Sequence, residues 1–96
     1  MWINLITRPG ISGSEGGIIL LDEEYKGACR ITLEKCPRYY AITCGIYGEM
    51  VHTAFCSKED SFEKYEAMKS ELADFLDKKH AISDPSSFFD DFTSKY

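Results

Sequence analysis

The sequence predicts an α+β domain: an antiparallel meander of about five strands packed on one long C-terminal amphipathic helix, followed by a short terminal helix. Three observations predict it. Short segments rich in β-branched and aromatic residues recur between glycine and proline breaks up to about residue 56. From Phe62 onward apolar residues fall three and four apart, the helical period. The chain is 96 residues long and 44% hydrophobic, enough for one core and one domain spanning residues 1–96.

Met1 to Thr7 reads as a short strand. Residues 8–17 carry one proline, four glycines and two serines, so they read as a mobile loop. Ile18 to Glu23 is the second strand, and its acidic end, Asp22-Glu23-Glu24, reads as a solvated turn. Ala28 to Lys35 alternates, with Cys29, Ile31 and Leu33 on one face and Arg30, Thr32 and Glu34 on the other. Cys36-Pro37-Arg38 ends it, because proline cannot donate to a strand ladder.

Tyr39 to Tyr47 and Met50 to Cys56 read as a hairpin closed by Gly48-Glu49. A two-residue loop with glycine first fits a type II′ turn. That turn sets Ile46 opposite Val51, Gly45 opposite His52, Cys44 opposite Thr53 and Ile42 opposite Phe55. Val51, Thr53 and Phe55 then point into the core with Ile42, Cys44 and Ile46. Thr43, Gly45, Tyr47, Met50, His52 and Ala54 share the other face. A slip by one residue would bury His52 and expose Phe55.

Ser57 with Asp60 three residues on is a capping-box variant, and opens the long helix. Acidic residues lie in its first turns and Lys78 and Lys79 in its last, as the helix dipole favours. Phe62, Tyr65, Met68, Leu72, Phe75, Leu76 and Lys79 form its inner stripe, and the helix is expected to end near His80. The tail, residues 83–96, reads as a short helix with Ser83 or Asp84 as cap and Pro85 in the first turn.

The net charge of −5 argues against nucleic-acid binding, since an acidic surface repels phosphate backbones. No apolar run approaches the roughly 20 residues that span a bilayer. The apolar start, Met1–Ile6, is short and lacks a basic region before it, so the chain is expected to be cytoplasmic with no membrane partner. Cys29, Cys36, Cys44 and Cys56 are then reduced thiols, none in a Cys-x-x-Cys pair.

No motif for catalysis, metal or cofactor stands out, and none is expected. The glycine loop has no Gly-Lys-Ser/Thr and leads into a strand, unlike a phosphate-binding loop. Asp22, Glu23 and Glu24 lack the alternation of a calcium loop. A Cys–His pair could serve as nucleophile and base, but the register above sends Cys44 and His52 to opposite faces. What remains is surface. Arg30, Thr43, Tyr47, Met50 and His52 lie on the sheet face away from the long helix, and Phe88, Phe89 and Phe92 form an aromatic patch in the tail. Tyr, Met and Arg are enriched in interfaces, so these eight are the candidate partner-binding residues.

Arg30–Glu34, Ile42–Gly48 and Met50–Thr53 together resemble a pattern in small acidic bacterial proteins. In size, acidity and lack of chemistry the chain also resembles the immunity proteins of bacterial toxin systems. The resemblance implies a bacterial origin and transfers no functional residue. The sequence therefore points to a non-catalytic module that binds a protein partner or itself, with an immunity-type inhibitor as one form. Asp22, Glu23, Glu24, Asp90 and Asp91 would steer a basic partner. The alternatives are a small enzyme or ligand binder using His52 and Tyr47, and a homo-oligomeric structural domain.

Overall fold

The computed structural model describes residues 1–78 and 84–96. Five strands, β1 (Trp2–Asn4), β2 (Ile18–Tyr25), β3 (Cys29–Lys35), β4 (Tyr40–Ile46) and β5 (Met50–Cys56), precede α1 (Lys58–Lys78) and α2 (Pro85–Lys95). The strands form one antiparallel sheet in sequence order, β1-β2-β3-β4-β5. The expected α+β meander is therefore present, with both helices on one side of it.

The core lies between the sheet and the helices. Cys29, Ile31 and Leu33 of β3 and Ile42, Cys44 and Ile46 of β4 meet Tyr65, Met68, Leu72 and Phe75 of α1 and Phe92 of α2. Ser57 caps α1: its Oγ accepts the Asp60 backbone N–H at 3.3 Å, and it donates to the Asp60 carboxylate at 3.1 Å. Polar clamps fix the helix over the sheet. The Tyr65 hydroxyl donates to Glu23 at 2.8 Å, and Lys69 pairs with the same carboxylate at 2.9 Å. Tyr25 donates to Asp77 at 2.9 Å, and Lys26 pairs with it at 2.6 Å. These bonds hold the Asp77 carboxyl below its usual range, with the Lys26 bond the larger cause.

One expectation fails, and it decides which residues the sheet presents. β4 stops at Ile46, so the loop is Tyr47-Gly48-Glu49, one residue longer than read. The Glu49 N–H donates to Ile46 O at 2.9 Å, and Gly48 has φ +77°. Positive φ at the third residue of the turn makes it type II, so the glycine serves there rather than in a II′ loop. The register shifts by one: Ile46 opposes Met50, Cys44 opposes His52 and Ile42 opposes Ala54. Because side chains alternate, every β5 residue changes face. Met50, His52 and Ala54 face the helices, whereas Val51 is 81% exposed and Phe55 55%. Phe92 occupies the space beneath this end of the sheet, with the His52 ring edge-on to it at 6.2 Å. Phe55 instead packs edge-on against Tyr39 at 5.3 Å on the outer face.

The helices bring smaller corrections. Phe62 is 60% exposed and leaves the inner stripe, and the small Ser61 is buried in its turn, bonded to Lys58 O at 2.8 Å. Asp84 precedes α2 with Pro85 at its start, yet its carboxylate accepts from the Ser86 hydroxyl rather than from a helix N–H. The expected helix end at His80, the inner position of Lys79 and the cap at Ser83 lie outside the described residues.

Candidate functional site

The outer face of the sheet carries no helix among the described residues. The glycine-rich loop folds back over part of it. The loop is tied to β2 by Ile19 N–H donating to Ile11 O at 2.9 Å and by a bridge between Ser12 and Ile18. Its inner anchor is Glu34 on β3, a carboxylate only 1% exposed. Glu34 accepts the Gly17 N–H at 2.6 Å and the Glu15 N–H at 3.3 Å, and the Cys36 thiol lies 3.5 Å away. Two glycines make this closeness possible. A Cβ at Gly13 would collide with the Glu34 carboxylate, and one at Gly17 with the Lys35 carbonyl.

Beside the loop lies an open groove of about 710 Å³. Its floor is β3 and β4 at Thr32, Thr43 and the bare backbone of Gly45, and its walls are Gly13, Ile19 and Tyr47. This volume sits within the roughly 300–1,000 Å³ of ligand-sized pockets. The charged groups around it are already matched. Arg30 grips Asp22 with two bonds, Nε at 2.8 Å and Nη2 at 2.6 Å. The Tyr47 hydroxyl donates to Glu24 at 2.6 Å, a bond that also raises the phenol's pKa. The groove is therefore apolar and hydroxyl-lined, with no free charge among these groups.

The eight candidate residues divide. Arg30, Thr43 and Tyr47 come together at the groove. Met50 contributes to its rim but turns its side chain inward with His52. Phe88, Phe89 and Phe92 pack on the core through Phe75, whose ring stacks on Phe88 at 4.2 Å. The acidic run is no solvated turn, because it belongs to β2 and each member has a partner: Asp22 with Arg30, Glu23 with Tyr65 and Lys69, Glu24 with Tyr47. The wall formed by the glycine loop and its anchor Glu34 was not foreseen. The one hint was a carboxylate alternating with Arg30 and Thr32 downstream of a glycine-rich segment, in which Gly13 and Gly17 have no room for a side chain.

The corrected register does put Cys44 and His52 on one face, directly opposed. It does not make them a nucleophile and base. Burial pushes the Cys44 thiol up to about 12, with nearby Cys29 adding to the rise, and burial pushes Cys29 up to about 11. A thiol that stays protonated at neutral pH is a poor nucleophile. His52 Nε2 is buried without a hydrogen-bond partner among the described residues. We expect alkylation of the native protein at pH 7.5, read by mass spectrometry, to modify the half-buried Cys56 first. Cys29, Cys36 and Cys44 should react only as fast as the chain unfolds; early labelling of Cys44 would contradict this burial.

Charge divides between the layers. Residues up to Ser57 hold five basic and six acidic groups, those from Lys58 on six and ten. The sheet half is nearly neutral, and the acidity resides on the helical side. No described helix is long and apolar enough to cross a membrane.

Comparison with protein families, curated proteins and solved structures finds no match, so the geometry alone must carry a functional reading.

Proposed function

We propose that this chain is a non-catalytic protein-binding module whose groove, between the glycine loop and β4, takes an extended uncharged segment of another protein. The observation that carries it is the groove itself: ligand-sized, floored at Gly45 by backbone without a side chain, and flanked by charges that are paired within the chain. A charged ligand would have to break the Arg30–Asp22 pair, whereas an apolar or hydroxyl-bearing segment gains contact without that loss. The rival ligand or catalytic site built on His52 and Tyr47 lacks convergence, since His52 faces the helices and Tyr47 lines the outer groove.

Peptide-display selection on the intact chain tests this reading. Uncharged, apolar peptides should be enriched, and Thr43→Arg, which fills the groove floor, should weaken them by at least about tenfold. Circular dichroism of the variant checks that the fold is kept. Peptides that bind wild type and variant equally would refute the groove.

The charge division favours a second reading, an immunity-type inhibitor that meets a basic toxin through the helical layer. It differs in outcome. Selection would return basic peptides, indifferent to Thr43→Arg, whose affinity falls steeply with added salt.

A further inference from the structure

We propose that the chain forms a twofold homodimer by pairing β5 with β5 of a second copy. This concerns the backbone edge of the sheet, which adjoins the groove at Met50 and Val51 but does not rest on it.

The sheet has two edges, treated differently. β1 has three residues, and beyond it the chain covers β2, with Leu5 N–H on Asp22 O at 2.8 Å and Ile19 N–H on Ile11 O at 2.9 Å. β5 has seven residues, and among the described residues it pairs on one side only. Natural edge strands are guarded by charge, proline, bulges or brevity. Met50–Cys56 has no charged residue, no proline and no glycine, and its register with β4 runs unbroken from Ile46↔Met50 to Tyr40↔Cys56.

Parity shows which groups the open edge presents. The Tyr47 N–H donates to Ala28 O at 2.9 Å, toward β3. Backbone groups alternate sides along a strand, so residues 41, 43 and 45 bond toward β3 and residues 40, 42, 44 and 46 toward β5. Their partners 50, 52, 54 and 56 use their backbone groups on β4. The N–H and C=O groups of Val51, Thr53 and Phe55 therefore point to the open edge.

An antiparallel copy with the axis at Thr53 pairs all three. Val51 then faces Phe55 of the second copy, Phe55 faces its Val51, and Thr53 meets Thr53. Shifting the register by two residues leaves one of the three without a partner. The same side chains that the register correction turned outward, Val51 and Phe55, become apolar cross-strand neighbours on the outer face. The occupant is a second copy because the edge is complementary to itself, as an isologous interface requires. The near-neutral sheet half adds little like-charge repulsion at the paired strands, while the twofold axis, normal to the sheet, sets the two acidic helical layers on the same face, so added salt should favour the dimer.

Sedimentation equilibrium on intact wild type should give an average mass that rises with concentration from the 10.9 kDa of one chain toward twice that value. Val51→Lys alters a side chain that is 81% exposed, so the fold should survive. It should raise the dimer dissociation constant by roughly 30-fold, because the twofold axis loses two apolar pairs at once. Hydrogen exchange supplies the sharper readout. Amides of Val51, Thr53 and Phe55 should slow as concentration rises, while those of Met50, His52 and Ala54 should not. Wild type that stays at 10.9 kDa at millimolar concentration overturns the proposal. So does a dimer that Val51→Lys leaves intact and that shows no such alternation. A monomer that still binds selected peptides would remove this inference and leave the groove standing.

Discussion

Phe92→Ala is expected to lower unfolding free energy by about 3–5 kcal/mol, the usual range for deleting a buried phenylalanine side chain. The side chain is 1% exposed. Its ring lies 5.5 Å from Phe88, 5.0 Å from Tyr96 and 6.2 Å from His52. α2 has eleven residues, too few to persist alone in water, so it exists because these aromatics dock it. Two further ties, from Tyr96 and Lys95 to Glu71 on α1, lie at the surface end. The Lys95 pair, 61% exposed at the lysine, adds under about 1 kcal/mol, and the part-buried Tyr96 bond contributes about 1 kcal/mol. Urea titration should show the midpoint falling without loss of the sheet signal. A change below about 1 kcal/mol would mean that α2 is not part of the folded core. The loss should also open Cys44 and His52 to solvent, so alkylation of Cys44 should accelerate together with the destabilisation.

The second large effect belongs to Glu34. Glu34→Ala removes the acceptor for two backbone N–H groups and leaves the donors of a folded-back loop without it. Hydrogen bonds to a charged acceptor contribute about 1.5–3 kcal/mol each in net terms, so a total loss of about 3 kcal/mol is expected after solvent partly replaces them. Glu34→Gln, which keeps shape and one carbonyl oxygen, should recover part of it. Gly17 amide exchange should accelerate in Glu34→Ala well beyond the global change in stability. Peptide affinity should also fall, because Gly13 forms a wall of the groove. Unchanged Gly17 exchange would show that the loop is held by its own turn instead, where Gly16 donates to Gly13 O at 3.0 Å.

Much of the fold was legible because local rules and packing agreed. Proline and glycine breaks separated the strands, alternation in Ala28 to Lys35 assigned its two faces, and the three-four spacing from Tyr65 to Phe75 located the inner helix stripe. The hairpin was ambiguous for a physical reason. Val51-Thr53-Phe55 and Met50-His52-Ala54 are both acceptable inner triads, and the first is the more apolar. The choice fell to the turn and to Phe92, forty residues away, neither of which strand alternation can weigh. A single extra loop residue then moved His52 and Met50 out of the candidate surface and Val51 and Phe55 into it. The groove was half legible. Arg30, Thr43 and Tyr47 were placed on one face by alternation alone, but its wall depends on a loop held by a distant carboxylate, a contact that no local pattern encodes.

The unequal charge of the two layers gives the molecule an electric polarity in addition to its net −5. Near a cationic surface, such as an anion-exchange matrix or a polyamine-coated chip, torque on that dipole turns the helices toward the surface and the strands toward the bulk. Adsorption by charge would thus orient the chain without a tag, with Val51 and the glycine loop facing the solution. Random amine coupling through the lysines would fix it in many poses.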